Sequence, residues 1–271
     1  IMSIATLGLR SRPGLLTNIS FGKSYYDNDA RILIERLSLV VTLTPLQKKV
    51  INDLILDLKG IGSNNTTTDF WTSKITKFYG MIGGVALSHL VDFRNPNSCT
   101  LRFYNSPTHS SLGVATNGSN YIASGIIPKY DLSQNDCHIG MYVQSSLAHY
   151  NGGVIGSTSN VRLGSSYMAL NDNDLMTPTV TTKGHHVVVR SASNVKVAYY
   201  NGSANGNNSS TSAVSADIEI YIGGLNASAT FTMGTSQTFS TIHIGTKLTA
   251  GEISTLYNSV ILPYQTALSR N

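Results

Sequence analysis

The sequence is poor in charge. Asp, Glu, Lys and Arg make up 12% of its 271 residues, against about 25% in ordinary globular domains. Glutamate is nearly missing: only Glu35, Glu219 and Glu252 occur. That scarcity narrows catalysis by paired carboxylates to very few positions. The 19 Lys and Arg exceed the 14 Asp and Glu, but the excess lies within residues 1–102, and Lys48–Lys49 is the only adjacent basic pair. The sequence has no basic stripe interleaved with aromatics, so no nucleic-acid partner is expected. The neutral remainder gives an anionic membrane surface nothing to hold. No apolar run reaches the ~18 residues needed to span a bilayer. The opening IMSIATLGLRSRPG lacks the charged and apolar regions of a secretory signal, so none is expected. Two cysteines, Cys99 and Cys137, cannot form a disulfide framework or, unaided, a zinc site. Buried free thiols are the expectation, and pairing across neighbouring strands stays open.

Ser, Thr, Asn and Gly take the place of charge, and the patterning is that of a β protein. Candidate strands are 85–93, 100–104, 112–116, 121–124, 137–144, 153–157, 162–168, 186–191, 195–200, 217–222 and 239–244. Asn95-Pro96, Asn117-Gly118, Asn151-Gly152-Gly153 and Asn201-Gly202 punctuate them. Short strands at roughly ten-residue spacing with Asn-Gly turns give a mainly β fold, an antiparallel sandwich or jelly roll. Along 217–222, Ile218, Ile220 and Ile222 share one face while Asp217, Glu219 and Tyr221 share the other. The stretch 201–215, NGSANGNNSSTSAVS, reads as a long exposed loop.

Helices bracket this body. Residues 1–24 read as an extended arm with a Pro13-Gly14 turn. Residues 25–84 hold a helical segment and connector, expected to form one compact unit with the sandwich of 85–271. Thr44-Pro45 is a helix start, and Leu46, Val50, Leu54 and Leu58 then recur every four residues. Thr249 and Glu252 fit a capping box, followed by an apolar stripe from Ile253 to Tyr264.

Three constellations bear on chemistry. Asp217 and Glu219, two apart on a strand, sit roughly 7 Å apart, a spacing to set against the paired carboxylates of a glycosidase. The adjacent His185 and His186 point to opposite faces and cannot chelate one ion, and the other histidines lie far apart in sequence. No metal is therefore expected. Asn171-Asp172-Asn173-Asp174 has oxygens that suit calcium but lacks the EF-hand glycine and distal glutamate, so an Asx-rich turn is favoured and calcium stays undecided. No phosphate-binding loop, nucleophile elbow or dinucleotide fingerprint occurs, so no cofactor is expected. Tyrosine outnumbers phenylalanine 14 to 7. Tyr199, Tyr200 and Tyr221, with Asp217 and Glu219, are the candidate glycan-binding residues, because a tyrosine ring stacks on a sugar face while its hydroxyl bonds sugar hydroxyls.

The ordered series Trp71…Tyr79…Gly83-Gly84, Asn95-Pro96, Thr108-His109-Ser110…Gly113, Asn117-Gly118…Tyr121, and Ile244-Gly245…Leu248-Thr249…Glu252-Ile253…Leu256-Tyr257-Asn258 resembles laminin-G-like, concanavalin A-like jelly-roll proteins of bacteriophages, especially those infecting gut Bacteroidota. The resemblance covers roughly residues 28–265. It implies a non-enzymatic virion structural protein: a head fibre, capsid decoration or tail appendage. It also implies a place on the particle surface, other virion proteins as partners, a homo-oligomer with a trimer as one form, and adhesion to a host-surface glycan. No metal or catalytic residue carries over. Two other readings compete: a polysaccharide-active enzyme using Asp217 and Glu219, and a secreted bacterial lectin.

Overall fold

The structure is a computed structural model, and it describes residues 26–64, 67–146, 152–155, 159–164 and 167–271. The expected arm, residues 1–24, lies outside these. In chain order the elements begin with α1 (Asn28–Ser38), α2 (Pro45–Leu58), α3 (Phe70–Ser73), β1 (Ile75–Tyr79) and α4 (Ala86–His89). Short strands follow: β2 (Arg102–Tyr104), β3 (Thr108–Ser110), β4 (Gly113–Ala115) and β5 (Tyr121–Ala123), then α5 (Pro128–Asp131). The body comprises β6 (Cys137–Val143), β7 (Gly152–Ile155), β8 (Asn160–Leu163), β9 (Ala169–Asp172), β10 (Gly184–Ala192), β11 (Val195–Tyr200) and β12 (Ser203–Asn208). It closes with β13 (Tyr221–Ile222), β14 (Leu225–Ala227), β15 (Thr230–Thr232) and β16 (Thr238–Gly245). The C-terminal helix runs from α6 (Ala250–Thr255) through a π-helical stretch (Leu256–Ile261) into α7 (Leu262–Ala267).

These strands form two sheets. An inner sheet has the order β12-β11-β10-β6-β16, and the far edge of β16 is shared by β4, which continues to β3, and by β1. An outer sheet has the order β15-β14-β7-β13-β5-β2, with β8 and β9 added alongside β7. All pairings are antiparallel except β7 with β14. The fold is the mainly β sandwich that the alternation implied.

Two apolar layers hold it together. Ile139, Met141, Val143, Val188, Ala198, Ile242 and Ile244 of the inner sheet pack on Ile122, Val161, Leu170 and Ile222 of the outer one. Tyr142, Val187, Val189 and Tyr199, on the opposite face of the inner sheet, pack on Leu33, Leu37, Ile51, Leu54, Ile55 and Leu58 of the first two helices and on Ile253, Leu256 and Val260 of the last. Burying each such side chain contributes about 2 kcal/mol. Val50, Leu54 and Leu58 of the α2 stripe therefore face the protein's own sheet, whereas Leu46, in the first turn of the helix, is exposed. The capping box of Thr249 with Glu252 forms, and Thr44, the N-cap before Pro45, makes a second one with Gln47.

Several elements differ from expectation. Residues 85–93 hold the single-turn α4 rather than a strand; Gly83 and Gly84, at φ 91° and 73°, turn the chain so that Ser88 and His89 go inward while Leu87 stays exposed. The low-complexity stretch supplies edge strand β12, because Asn201 and Gly202, both at positive φ, fold it back on β11 as a tight hairpin. In 217–222 only Tyr221 and Ile222 join the ladder, although Ile220 still exchanges backbone bonds with Ser124 and Ile126. Cys99 is exposed, Cys137 is buried, and the two do not pair; burial pushes the Cys137 thiol up to about 12.

Asp172 is engaged in the sandwich. Its carboxylate, 1% exposed, takes Arg190, Lys196 Nζ at 2.7 Å and Ser210 Oγ at 2.6 Å, joining β9 of the outer sheet to β10 and β11 of the inner one. Lys196 also donates to the Asp174 carbonyl at 2.7 Å, and Arg190 to the carbonyls of Leu170, Ser193 and Ser210. Asp172 thus serves as a counter-ion. Replacing it by Ala leaves two buried cations unpaired, which costs about 3–5 kcal/mol. Urea unfolding of D172A should show a loss of that size; a change below about 1 kcal/mol contradicts the assignment.

Candidate functional site

Among the described residues no further layer covers the outer face of the outer sheet, and register decides what stands on it. Phe103, Ile122 and Ile222 turn inward onto the core. Their neighbours Arg102, Tyr104, Tyr121 and Tyr221 therefore turn outward. Tyr104 lies opposite Tyr121, and Ala123 lies between Arg102 and Tyr221. The rings form a cross-strand row. Tyr104 and Tyr121 stack at 4.8 Å and 4°, Tyr121 and Phe231 at 4.4 Å and 15°, and Tyr221 lies 4.5 Å from Tyr121. Gly224 and Gly234 allow this: a Cβ on either would come within 2.3 and 2.7 Å of the Phe231 ring.

Stacking sets what the row can do. Tyr121 is covered on both faces, so it stiffens the row and offers only its edge. Tyr104 stands at the sheet edge with one face uncovered by a ring and is 40% exposed. Burial and the neighbouring Tyr221 push the Tyr121 hydroxyl up to about 12, so it stays protonated as a donor. Beside Tyr104, Asn105 Nδ2 donates to Ser119 O at 2.9 Å and Asn120 Nδ2 to Ser106 O at 3.3 Å, bracing two polar loops. Asn105 and Ser106 both hold positive φ, 56° and 57°.

Charged pairs continue the surface. Arg102 donates to Glu219 at 2.6 Å, and the other Glu219 oxygen accepts the Gly125 N–H. Lys129 donates to Asp217 at 2.6 Å. The hydrogen bond from Lys129 holds the Asp217 carboxyl below the usual range. Of the five sequence candidates, Asp217, Glu219 and Tyr221 thus share this surface. Tyr199 and Tyr200 sit on β11 of the inner sheet. Tyr199 is 7% exposed under the helices, and the Tyr200 hydroxyl donates to Lys183 O at 2.9 Å and bonds Thr182 Oγ1. Sequence reading passed over Arg102, Tyr104, Tyr121, Lys129 and Phe231. The alternation at 102–104 carried the only signal.

A second polar cluster lies in the interior. His138, His185 and His243, on three adjacent inner strands, are fully buried on the helix-facing side. Thr246 O can only accept, so His138 Nδ1 donates to it. Neutral His138 then accepts at Nε2 from His243 Nδ1–H, 3.0 Å away, and His243 Nε2 accepts from His185 Nε2–H at 2.8 Å. The chain of bonds ends at His185 Nδ1, which has no partner. The middle ring uses both nitrogens, so the three do not converge on one point. Among the described residues no group of His, Cys, Asp or Glu is arranged to hold a metal ion. Gly140 makes room, since a Cβ there would lie 2.3 Å from the His243 ring.

An open polar trough of 910 Å³ runs along β11 and residues 207–211. No aromatic ring lines it, and its lysine, Lys196, is engaged by Asp172 and the Asp174 carbonyl.

Geometry of this kind defines a β-sandwich domain with an aromatic, ion-paired outer face. No protein-family profile and no curated protein matches the chain. Among solved structures it is similar to domain 4 of AbnA, an extracellular GH43 arabinanase from Geobacillus stearothermophilus, in complex with arabinotriose. The TM-score is 0.51 at 14% identity, over 69% of this chain and 99% of that one. It also matches a mutant Trypanosoma rangeli sialidase displaying trans-sialidase activity, with TM-score 0.48 and 14% identity, over 88% of this chain but 39% of the sialidase. The arabinanase domain likeness is one of fold.

The histidine chain generates a pH prediction. Burial lowers His138 to about 4 and His185 to about 3, and His243 well below 6.5. The unfolded rings take up protons near 6.5 while the folded ones do not. Stability is therefore complete above pH 6.5 and falls as pH drops toward 4, by about 1.4 kcal/mol per pH unit for each ring. Urea unfolding at pH 7 and pH 5 should differ by several kcal/mol. Nitrogen-15 shifts should report Nδ1–H on His138 and His243 and Nε2–H on His185; a charged ring at pH 7 contradicts the chain.

Proposed function

We propose that the protein is a non-enzymatic glycan-binding sandwich that reads its ligand on the outer face of the outer sheet. The observation that carries this reading is the braced row Tyr104–Tyr121–Phe231, with one face of Tyr104 open beside Arg102 and Glu219. A prestacked ring meets a sugar with little further loss of side-chain freedom. A domain of the same fold occurs in complex with arabinotriose, which supports the reading.

The enzyme alternative finds less support. A general acid needs a raised carboxyl pKa, whereas Asp217 is held low by Lys129. Glu219 is fixed by Arg102 and the Gly125 N–H.

On the resemblance of its sequence to phage jelly-roll proteins, the module belongs on a virion surface as a homo-oligomer among other virion proteins, with residues 1–24 as anchor. Exposed Leu39 and Leu46 on the helical layer suit contact with such partners.

Titration calorimetry on a glycan found by array screening tests the binding reading. Tyr104→Ala should weaken binding about 10-fold, while Tyr200→Phe leaves it unchanged and no oligosaccharide is released. Equal affinity for Tyr104→Ala and wild type, or glycan cleavage that Glu219→Gln abolishes, overturns it. Particles that still retain a chain lacking residues 1–24 would sink the anchoring role.

A further inference from the structure

The chain from Asp217 to Tyr221 sets three groups in line on the outer face, spaced by two residues: the Lys129–Asp217 pair, the Arg102–Glu219 pair, and the ring row. Fully extended, this stretch would reach about 13 Å, longer than a single sugar; the chain bends at Asp217 and Ile218, which makes that figure an upper bound. Both cations on this strip are matched by a carboxylate at 2.6 Å, so the strip carries no net charge.

The pairs are also held in place. Glu219 is fixed on one oxygen by the Gly125 N–H, and its backbone carbonyl accepts Asn226 Nδ2 at 2.7 Å. Arg102 uses one N–H on Glu219 and is half exposed, so its remaining N–H groups face solvent. A donor fork and an acceptor carboxylate thus stand side by side in water, next to tyrosine hydroxyls. A sugar hydroxyl both donates and accepts, and it can satisfy the two at once. A carboxylate or sulfate only accepts. It would gain from Arg102 and meet Glu219 and Asp217 as like charges, so attraction and repulsion cancel.

We infer that the strip of Lys129–Asp217, Arg102–Glu219 and the tyrosine row takes an uncharged, hydroxyl-rich oligosaccharide and discriminates against uronic, sialic and sulfated glycans. This rests on the glycan-binding reading above and narrows it to a ligand class. Specificity comes from the carboxylates as much as from the rings: each one cancels a cation that would otherwise recruit anions.

The test uses the full chain on a panel holding uncharged probes (arabinotriose, maltotetraose, chitotriose) and acidic ones (trigalacturonate, sialyllactose, sulfated disaccharides), at 50 and 500 mM NaCl. An uncharged probe should bind with a Kd that changes less than about twofold between the two salts, and acidic probes at least tenfold more weakly. Glu219→Gln and Asp217→Asn leave a cation unmatched. Each should raise affinity for trigalacturonate severalfold at 50 mM NaCl and lose that gain at 500 mM. Asp217 is exposed, so its variant retains the fold whatever Glu219→Gln does. Wild type that prefers an acidic probe, or variants that gain nothing for it, overturn the inference while leaving glycan binding standing. Wild type that binds nothing on the panel removes both.

Discussion

Everything in this protein follows from an inner sheet that is buried on both faces. Strand β6 is buried at all seven positions and β10 at its first seven. Neither face of these strands can hold an unmatched polar group without a cost of about 1–3 kcal/mol. The histidines of three adjacent strands therefore serve one another, through tautomers that one carbonyl fixes in sequence. The inner-sheet cations Arg190 and Lys196 share one outer-sheet carboxylate for the same reason. Low overall charge follows too: a three-layer molecule of this length leaves few strand positions facing water.

The same constraint bears on the candidate surface. Among the described residues both faces of the inner sheet are enclosed, so an exposed ring-bearing sheet face falls on the other side of the outer sheet. That is where Tyr104, Tyr121, Tyr221 and Phe231 gather, contributed by four strands that come together only in the fold. The glycines at 224 and 234 are part of this arrangement, since a side chain at either would displace Phe231 and open the row.

The sandwich, the helix starts at Thr44 and Thr249 and the turn at Asn201-Gly202 were legible because each depends on neighbours within a few residues, whereas the strand β12 that follows this turn read as a loop because its Ser, Asn and Gly carry no alternation. The site was legible only in part. Asp217, Glu219 and Tyr221 alternate along one segment, so sequence could group them. Their partners Arg102 and Lys129 lie 117 and 88 residues away, and only strand register brings them in. Tyr199 and Tyr200 show the converse. Adjacent strand residues point to opposite faces, so nearness in sequence made them look like a pair, yet Tyr199 goes under the helices and Tyr200 does not. Residues 85–93 misled because a short apolar run carries no period that separates a strand from a helical turn. The buried histidine chain left no local trace, since its members stand on three different strands.

The scarcity of glutamate acquires a physical meaning at this point. Glu252 caps the last helix and pairs with Lys74, Glu35 pairs with Arg31 one turn away, and Glu219 holds Arg102. Each is committed to a cation and, for two of the three, to a backbone N–H as well. General-acid chemistry needs a carboxyl whose environment destabilises its charge. Glu219, the one of the three on the outer face, has both carboxylate oxygens engaged, one by Arg102 and one by the Gly125 N–H. With so few acids in the chain, the three glutamates go to positions where a cation needs a fixed counter-charge, and Glu219 is the one that places such a pair beside the ring row.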